Sequence, residues 1–291
     1  RVAIKNNIVF SVENLLKDLI KKNKIKYINN FEVKQFSELS NEIIVSSLNN
    51  KKIKCKKLYL ACGPLETSKI ILNSCKHIKK IQINQTKLIP SLWFSKRNIK
   101  FKHDNNYSDL IFNKISKPFF SSQIYFIKNK IIYKFKNLSL IKYFFIKKFL
   151  KLFQNRLFFF LTYLDQDYSD KIILKRNQEK ISIEKVIRKN NFYNKVSKLI
   201  KIYFKNQIFQ VFKVDKKNFG YGYHVGSCFP MSYSNNGNRS DKIGRIRGLR
   251  NIHIVDSSTL TRIPTSTITY TVMANAARIV DLTAKKVYKT K

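Results

Sequence analysis

From about residue 80 to residue 215 the chain has no glycine at all; its seven glycines sit at position 63 and between 220 and 248. Glycine is where a backbone adopts conformations that other residues avoid, so this distribution divides the chain by construction. A middle stretch rests on side-chain patterning, and two flanks rest on tight turns. Aromatics and lysine dominate the middle. Runs such as Ser122-Gln123-Ile124-Tyr125-Phe126-Ile127 alternate in the period of half-buried strands, which predicts a mostly antiparallel sheet. A strand is expected from about Leu157 to Leu164 and a helix at roughly 190–206. Residues 139–155 read as an aromatic, basic helix. The preferred reading packs it on a sheet with lysines snorkelling from its edges; the other is a peripheral membrane contact.

The N-terminal flank begins with an amphipathic helix over 11–21, where Val12, Leu15, Leu16, Leu19 and Ile20 share a face and Ser11 stands as N-cap. Strands follow at 26–34, 43–48 and 52–62, with Asn49-Asn50 as the turn between the last two. Lys57-Leu58-Tyr59-Leu60-Ala61-Cys62-Gly63 reads as a buried strand ending in glycine, and Pro64-Leu65-Glu66-Thr67-Ser68-Lys69-Ile70-Ile71-Leu72 starts a helix. Such a junction points backbone N–H groups at a helix N-terminus, which suits a phosphate or a polar ligand edge.

The C-terminal flank carries most of the functional information. It runs from His224-Val225-Gly226-Ser227-Cys228-Phe229-Pro230-Met231 through Asn251-Ile252-His253-Ile254-Val255-Asp256-Ser257-Ser258 to Ile263-Pro264-Thr265-Ser266-Thr267-Ile268-Thr269. A histidine in a glycine-containing turn comes first, then an apolar strand ending in an acid, then a Thr/Ser-rich turn feeding a small-residue helix. By itself His224 would be a turn or core histidine, and Asp256 a strand-end turn former.

That order resembles the C-terminal signature of the glucose–methanol–choline (GMC) flavin oxidoreductases. Counting from His224, Ser227 and Met231 fall in the family's register, as do Ile263-Pro264, Thr269 and Asp281 counted from Asp256. Phe229-Pro230-Met231 looks more like a poorly characterised bacterial branch than like the sugar oxidases. Residues 57–75 are similar to a second signature of the family: Gly63-Pro64-Leu65-Glu66-Thr67 fits, Ser68 stands where proline is usual, Ile70, Ile71 and Ser74 match, and Cys75 replaces a glycine. The resemblance covers about 1–75 and 216–291 well and the middle loosely.

The resemblance implies an α/β (α+β) fold: an FAD-binding domain built from 1–80 and 216–291, with 81–215 inserted as a mostly antiparallel substrate domain. It implies FAD as cofactor, bordered by Val33, Gly63, Asp256, Ser257 and Ile268. The reaction implied is oxidation of a CH–OH group on an alcohol or sugar-like small molecule, with the electron acceptor left open. His224 takes the role of base, for which an imidazole suits because its pKa lies near working pH. The second catalytic position, usually His or Asn, falls on Thr267, which can donate a hydrogen bond but is a poor base. No G-x-G-x-x-G follows a strand in these residues, so the family's diphosphate-binding βαβ unit is expected upstream, outside them. Arg rather than Met at position 1 agrees with a piece of a longer chain, which without that unit is not expected to retain FAD.

Composition weighs against other classes. The net charge of +41 suggests nucleic acid or an anionic membrane surface, and a basic non-catalytic module of that kind is the rival reading. Against it, 47 of the 58 basic residues are Lys and 11 Arg, whereas specific phosphate or base recognition favours Arg forks. The excess of Lys, Asn, Ile, Phe and Tyr is spread along the chain like the drift of an AT-rich genome, so no specific nucleic-acid partner is expected. Cys55, Cys62, Cys75 and Cys228 form no C-x-x-C and no metal spacing, which predicts a reduced, cytoplasmic protein with no metal site. No apolar run reaches membrane-spanning length, and no G-x-S-x-G elbow points to a serine hydrolase. Cys228 is adjacent to a family position that is commonly small and polar, so it is not read as a thiol nucleophile. His77, His103 and His253 read as structural or surface histidines.

Overall fold

The computed structural model describes residues 11–98, 108, 110–114, 116, 117, 119–126, 148, 152, 153, 155–178, 180–188, 191–214, 222–234 and 237–288. They form a mixed α+β fold in two compact units, Arg1–Cys55 and Lys56–Lys291. In the first unit α1 (Val12–Lys21) has the predicted extent, but Ser11 makes no side-chain cap bond and no residue of the helix is buried. Strands β1 (Val33–Glu38), β2 (Ile43–Ser47) and β3 (Lys52–Cys55) make an antiparallel meander around Phe36, Ile43 and Val45. The strand expected over 26–34 begins only at Val33. Asn30, at φ +55°, occupies the left-handed region that asparagine tolerates, and a strand cannot run through it. The turn at Asn49-Asn50 forms as expected, with Asn50 at φ +59° and the Ser47 hydroxyl accepting the Lys51 N–H at 3.0 Å.

The strand expected over 52–62 is broken at the boundary between the units, so that β4 (Leu58–Leu60) belongs to the second. There it pairs in parallel with β13 (Ile252–Ile254), which makes residues nearly 200 apart in sequence neighbours. Helix α2 (Pro64–Ser74) follows β4 through Gly63, whose φ of +80° favours glycine, and Pro64 at the first helical position needs no hydrogen-bond acceptor.

The sheet of the glycine-free stretch is organised on one long strand, β5 (Lys80–Ser95). Its first residues pair with β9 (Lys171–Asn177), which pairs with β10 (Lys180–Val186). Its later residues pair with β8 (Leu157–Leu164), and β7 (Phe120–Phe126) and β6 (Leu110–Lys114) continue the order. On its other edge lie β11 (Ile208–Lys213) and β12 (Gly222–Gly226). All these pairings are antiparallel. Residues 157–164 and the helix expected at 190–206, found as α3 (Phe192–Tyr203), follow the sequence pattern closely. The helix expected over 139–155 lies outside the described residues except at 148, 152, 153 and 155.

Alternation along β5, β7 and β8 gives the sheet its buried face. Ile89, Trp93, Phe120, Ile124, Phe158, Phe160 and Leu164 meet Phe192, Tyr193, Val196 and Ile200 of α3 in one core. Each fully buried side chain of this size contributes about 1.5–3 kcal/mol. Trp93 is wholly buried, and its indole N–H donates to the Ser91 hydroxyl at 2.9 Å. Among the described residues no helix is long and apolar enough to cross a membrane.

Candidate functional site

The site forms where β12, the loop after β13 and the end of β8 meet. β12 carries His224 and ends at Gly226, and it closes on the turn after β13 by direct backbone contact. The Ser227 N–H donates to the Ser257 carbonyl at 2.9 Å, and the Phe229 N–H donates to the Ser258 carbonyl at 2.9 Å. The Ser257 hydroxyl donates back to the Val225 carbonyl at 2.7 Å. Gly226 is dictated by this approach: a Cβ there would lie 2.3 Å from the Ser257 carbonyl oxygen and 2.9 Å from Ile263 Cδ1.

Asp256 ends the strand and caps a single 3-10 turn, Ser257–Thr259. One carboxylate oxygen accepts the Ser258 N–H at 2.8 Å, and the other accepts the Thr67 hydroxyl at 2.5 Å. The acid is buried, so these bonds offset its desolvation and fix the turn against the first turn of α2. Cys228 lies beside the hydroxyls of Ser68 and Ser258, and burial pushes its thiol pKa up to about 12, which keeps it protonated and a poor nucleophile.

His224 is half-buried and stacks on Tyr163 of β8, ring centroids 5.1 Å apart and planes 11° from parallel. Among the described residues its buried Nδ1 has no hydrogen-bond partner. Burial lowers the imidazole pKa, opposed by the carbonyl of Pro264 facing the ring. At neutral pH the ring is therefore uncharged and has a lone pair to offer. His253 is lowered as well, chiefly by burial; its Nδ1 sits 2.8 Å from the Ile243 carbonyl and its ring stacks on Tyr59.

The sign of the resulting pH dependence follows directly. Both folded imidazoles resist protonation more than unfolded ones, so below about pH 6.5 the unfolded chain binds the extra protons. The stability these neutral rings carry is full above that value and falls as pH drops through it, levelling off below the depressed folded values. Urea midpoints at pH 7.5 and pH 5 should differ in that direction, and the difference should shrink in a His224→Gln/His253→Gln double variant.

The contact with Pro264 brings His224 to the turn that leads to Thr267, three residues further on. Thr267 is exposed, and Ile268, half-buried, accepts the Val272 N–H at 2.9 Å in the first turn of α4 (Thr269–Tyr288). Gly63 stands at the N-terminus of α2, and nothing lies within 4 Å of where its Cβ would be. The structure thus brings His224, Ser257 and Asp256 together at Ile263-Pro264, the start of that turn, with α2 tied in through Thr67. Val33 opens β1 in the first unit.

Other residues at the site were not singled out in the sequence. The Gln166 side-chain oxygen accepts the Ile263 N–H at 2.8 Å, and Arg262 pairs with Asp165 and, at 2.6 Å, with Asp167. A cavity of about 510 Å³ opens beside this bridge, walled by Lys114, Phe119, Phe120 and residues 260–266 among others. The available signal was the Asp165-Gln166-Asp167 run, which ends an apolar strand in a chain with only 17 acids.

No protein-family model matches the sequence, and no curated protein matches it. The fold does match solved oxidoreductases. It is similar to pyridoxine 4-oxidase from Mesorbium loti at a TM-score of 0.52 and 9% identity, over 86% of this chain and 56% of that one. It is also similar to an FAD-dependent oxidoreductase from Chaetomium thermophilum at a TM-score of 0.51 and 10% identity, over 94% of this chain and 64% of that one. At such identities the likeness is one of fold. The chain spans less than two thirds of the length of either structure.

Proposed function

We propose that these residues form the substrate side and the C-terminal part of a GMC-type FAD-dependent oxidoreductase acting on a CH–OH group of an alcohol or sugar-like small molecule. The observation that carries the reading is His224. It is a half-buried, uncharged imidazole with an unpartnered Nδ1, held at the 263–268 turn on a fold shared with oxidoreductases. Buried nitrogens normally find partners, so an orphaned one beside this turn fits a group that takes a proton from a ligand.

In this reading the neutral imidazole accepts the substrate hydroxyl proton while the carbinol C–H leaves as hydride, and the carbonyl product forms. Bound flavin supplies the hydride acceptor. Thr267 orients the substrate oxygen, since a hydroxyl donates or accepts a hydrogen bond but does not take a proton at neutral pH. Val33, Gly63, Asp256, Ser257 and Ile268 are the proposed cofactor border. The residues fit such a group at the N-terminus of α2, where Gly63 leaves open space and helix N–H donors face outward. Segments 1–80 and 216–291 are proposed as the cofactor side and 81–215 as the substrate domain. The G-x-G-x-x-G βαβ unit, absent from these 291 residues, is proposed to come from sequence outside them.

Flavin content tests this. The longest natural chain containing these residues should purify yellow with one FAD, while residues 1–291 alone should not hold it. Stoichiometric FAD on the 291 residues would show that no further unit is needed. A colourless long chain that takes up no added FAD would remove the reading.

A further inference from the structure

At the end of β8, five consecutive residues touch both halves of the proposed site. Tyr163, with 7% of its surface exposed, stacks on His224. Asp165 is buried and holds the Phe119 and Asp167 N–H groups at 3.3 and 2.9 Å, as well as Arg262. Gln166 holds the Ile263 N–H, and Asp167 completes the pair with Arg262, whose guanidinium lies 5.5 Å from the centre of the Phe119 ring. Ser169 anchors the run from below: its hydroxyl donates toward the Leu164 and Asp165 carbonyls and accepts the Lys87 N–H at 2.7 Å. The run is thus fixed to the sheet on one side and grips the loop on the other.

We propose that Tyr163–Asp167 is the positioning element of the site: Tyr163 sets the plane of the His224 imidazole, and Gln166 with the Asp165–Arg262–Asp167 bridge fixes the turn leading to Thr267. A ring whose Nδ1 has no hydrogen-bond partner lacks the carboxylate or carbonyl that usually fixes a functional imidazole through that nitrogen. Beside the Pro264 carbonyl, the near-parallel face of Tyr163 is the contact that restricts its plane. On the other side, the Ile263 amide and the Arg262 side chain are both held by residues two and three positions after Tyr163. One strand end therefore fixes the distance between imidazole and turn, and in a reaction of this kind an error of about 1 Å costs on the order of 100-fold. The roles assigned to His224 and Thr267 rest on the proposed function; the geometry of the grip does not.

The test uses the longest natural chain, with histidine isotopically labelled. These 291 residues hold four histidines, and a His224→Gln variant identifies the His224 signals within the longer chain. In the wild type, the His224 ring protons should show nuclear Overhauser contacts to Tyr163 and an upfield ring-current displacement. Tyr163→Phe should keep both. Tyr163→Leu should move the His224 signals downfield, leave those of the other three histidines in place, and lower kcat for alcohol oxidation about 10- to 100-fold with KM within about twofold. Gln166→Ala should speed exchange of the Ile263 amide about tenfold or more, in line with losing one buried hydrogen bond. If the wild type shows no Tyr163–His224 contact, or Tyr163→Leu folds with His224 unmoved, positioning by this strand end is overturned whatever the activity. Moved signals in a protein that oxidises no alcohol would instead retain the grip and remove the proposed function.

Discussion

Replacing His224 with alanine should slow reduction of the bound flavin by about 10²–10⁴-fold, the range lost with a positioned acid–base group. Flavin content should change little, because the proposed role of the imidazole is on the substrate rather than in holding the cofactor. Thr267→Ala costs less, since only a hydrogen bond to the substrate oxygen goes with it. Asp256→Ala shows the opposite order. Its carboxylate holds Thr67 and the Ser258 N–H, so its loss should loosen the turn and α2, and under the proposed function FAD should be lost before chemistry is. Stopped-flow reduction and bound-flavin assays on the three variants separate these roles. The wild-type rate should also fall on the acid side only when pH drops through the depressed His224 pKa, because protonation removes the base. Equal rates for wild type and His224→Ala would end the claim that this histidine is the base.

Gly226→Ala is the second large effect, and it is steric. Gly63 and Gly226 make a useful pair. At Gly63 the φ of +80° with ψ 157° is a conformation essentially reserved for glycine, but among the described residues the space is open, so Gly63→Ala should cost about 1–3 kcal/mol from conformation alone. At Gly226 a methyl group would sit 2.3 Å from a backbone oxygen, which cannot rotate away as a flexible side chain can. Overpacking costs about 1–3 kcal/mol where neighbours adjust; here the backbone must shift, so the loss should reach the upper end or exceed it. The shift separates β12 from the Ser257–Thr259 turn and moves His224, two residues away. Urea unfolding should therefore rank Gly226→Ala below Gly63→Ala in stability, with flavin reduction lost in the first beyond what its folded fraction explains. A Gly226→Ala variant with wild-type midpoint and rate would contradict the close approach.

Local pattern made much of this legible. The apolar run 157–164, the amphipathic spacing near 190–206 and the glycine before Pro64 each encode their element within a few residues, and each formed where expected. The run 26–34 misled because its apolar residues suggest a strand, while Asn30 turns the backbone before the pairing begins at Val33. The run 52–62 misled because one continuous pattern serves two sheets, antiparallel to β2 and parallel to β13. The order of His224, Asp256 and Ile263-Pro264 in the C-terminal flank gave the sequence its candidate site. Their partners are not legible that way: Thr67 lies 189 residues from Asp256, and Asp165 lies 97 from Arg262. Such pairs are set by how β5, β8 and β12 associate, which a periodicity does not carry. The stack of Tyr163 on His224 is of the same kind, since in sequence that tyrosine is one more aromatic on an aromatic strand.

Anaerobic reduction of the flavin-loaded long chain tests the central claim most directly. The protein is mixed, without oxygen, with a panel of primary and secondary alcohols, sugars among them, and separately with reduced nicotinamide cofactors, while flavin absorbance is followed. The account predicts that at least one alcohol bleaches the flavin and yields one carbonyl per flavin, and that His224→Ala slows the bleaching. Flavin that reduced nicotinamide bleaches at once, and that no CH–OH compound in the panel reduces, would contradict it.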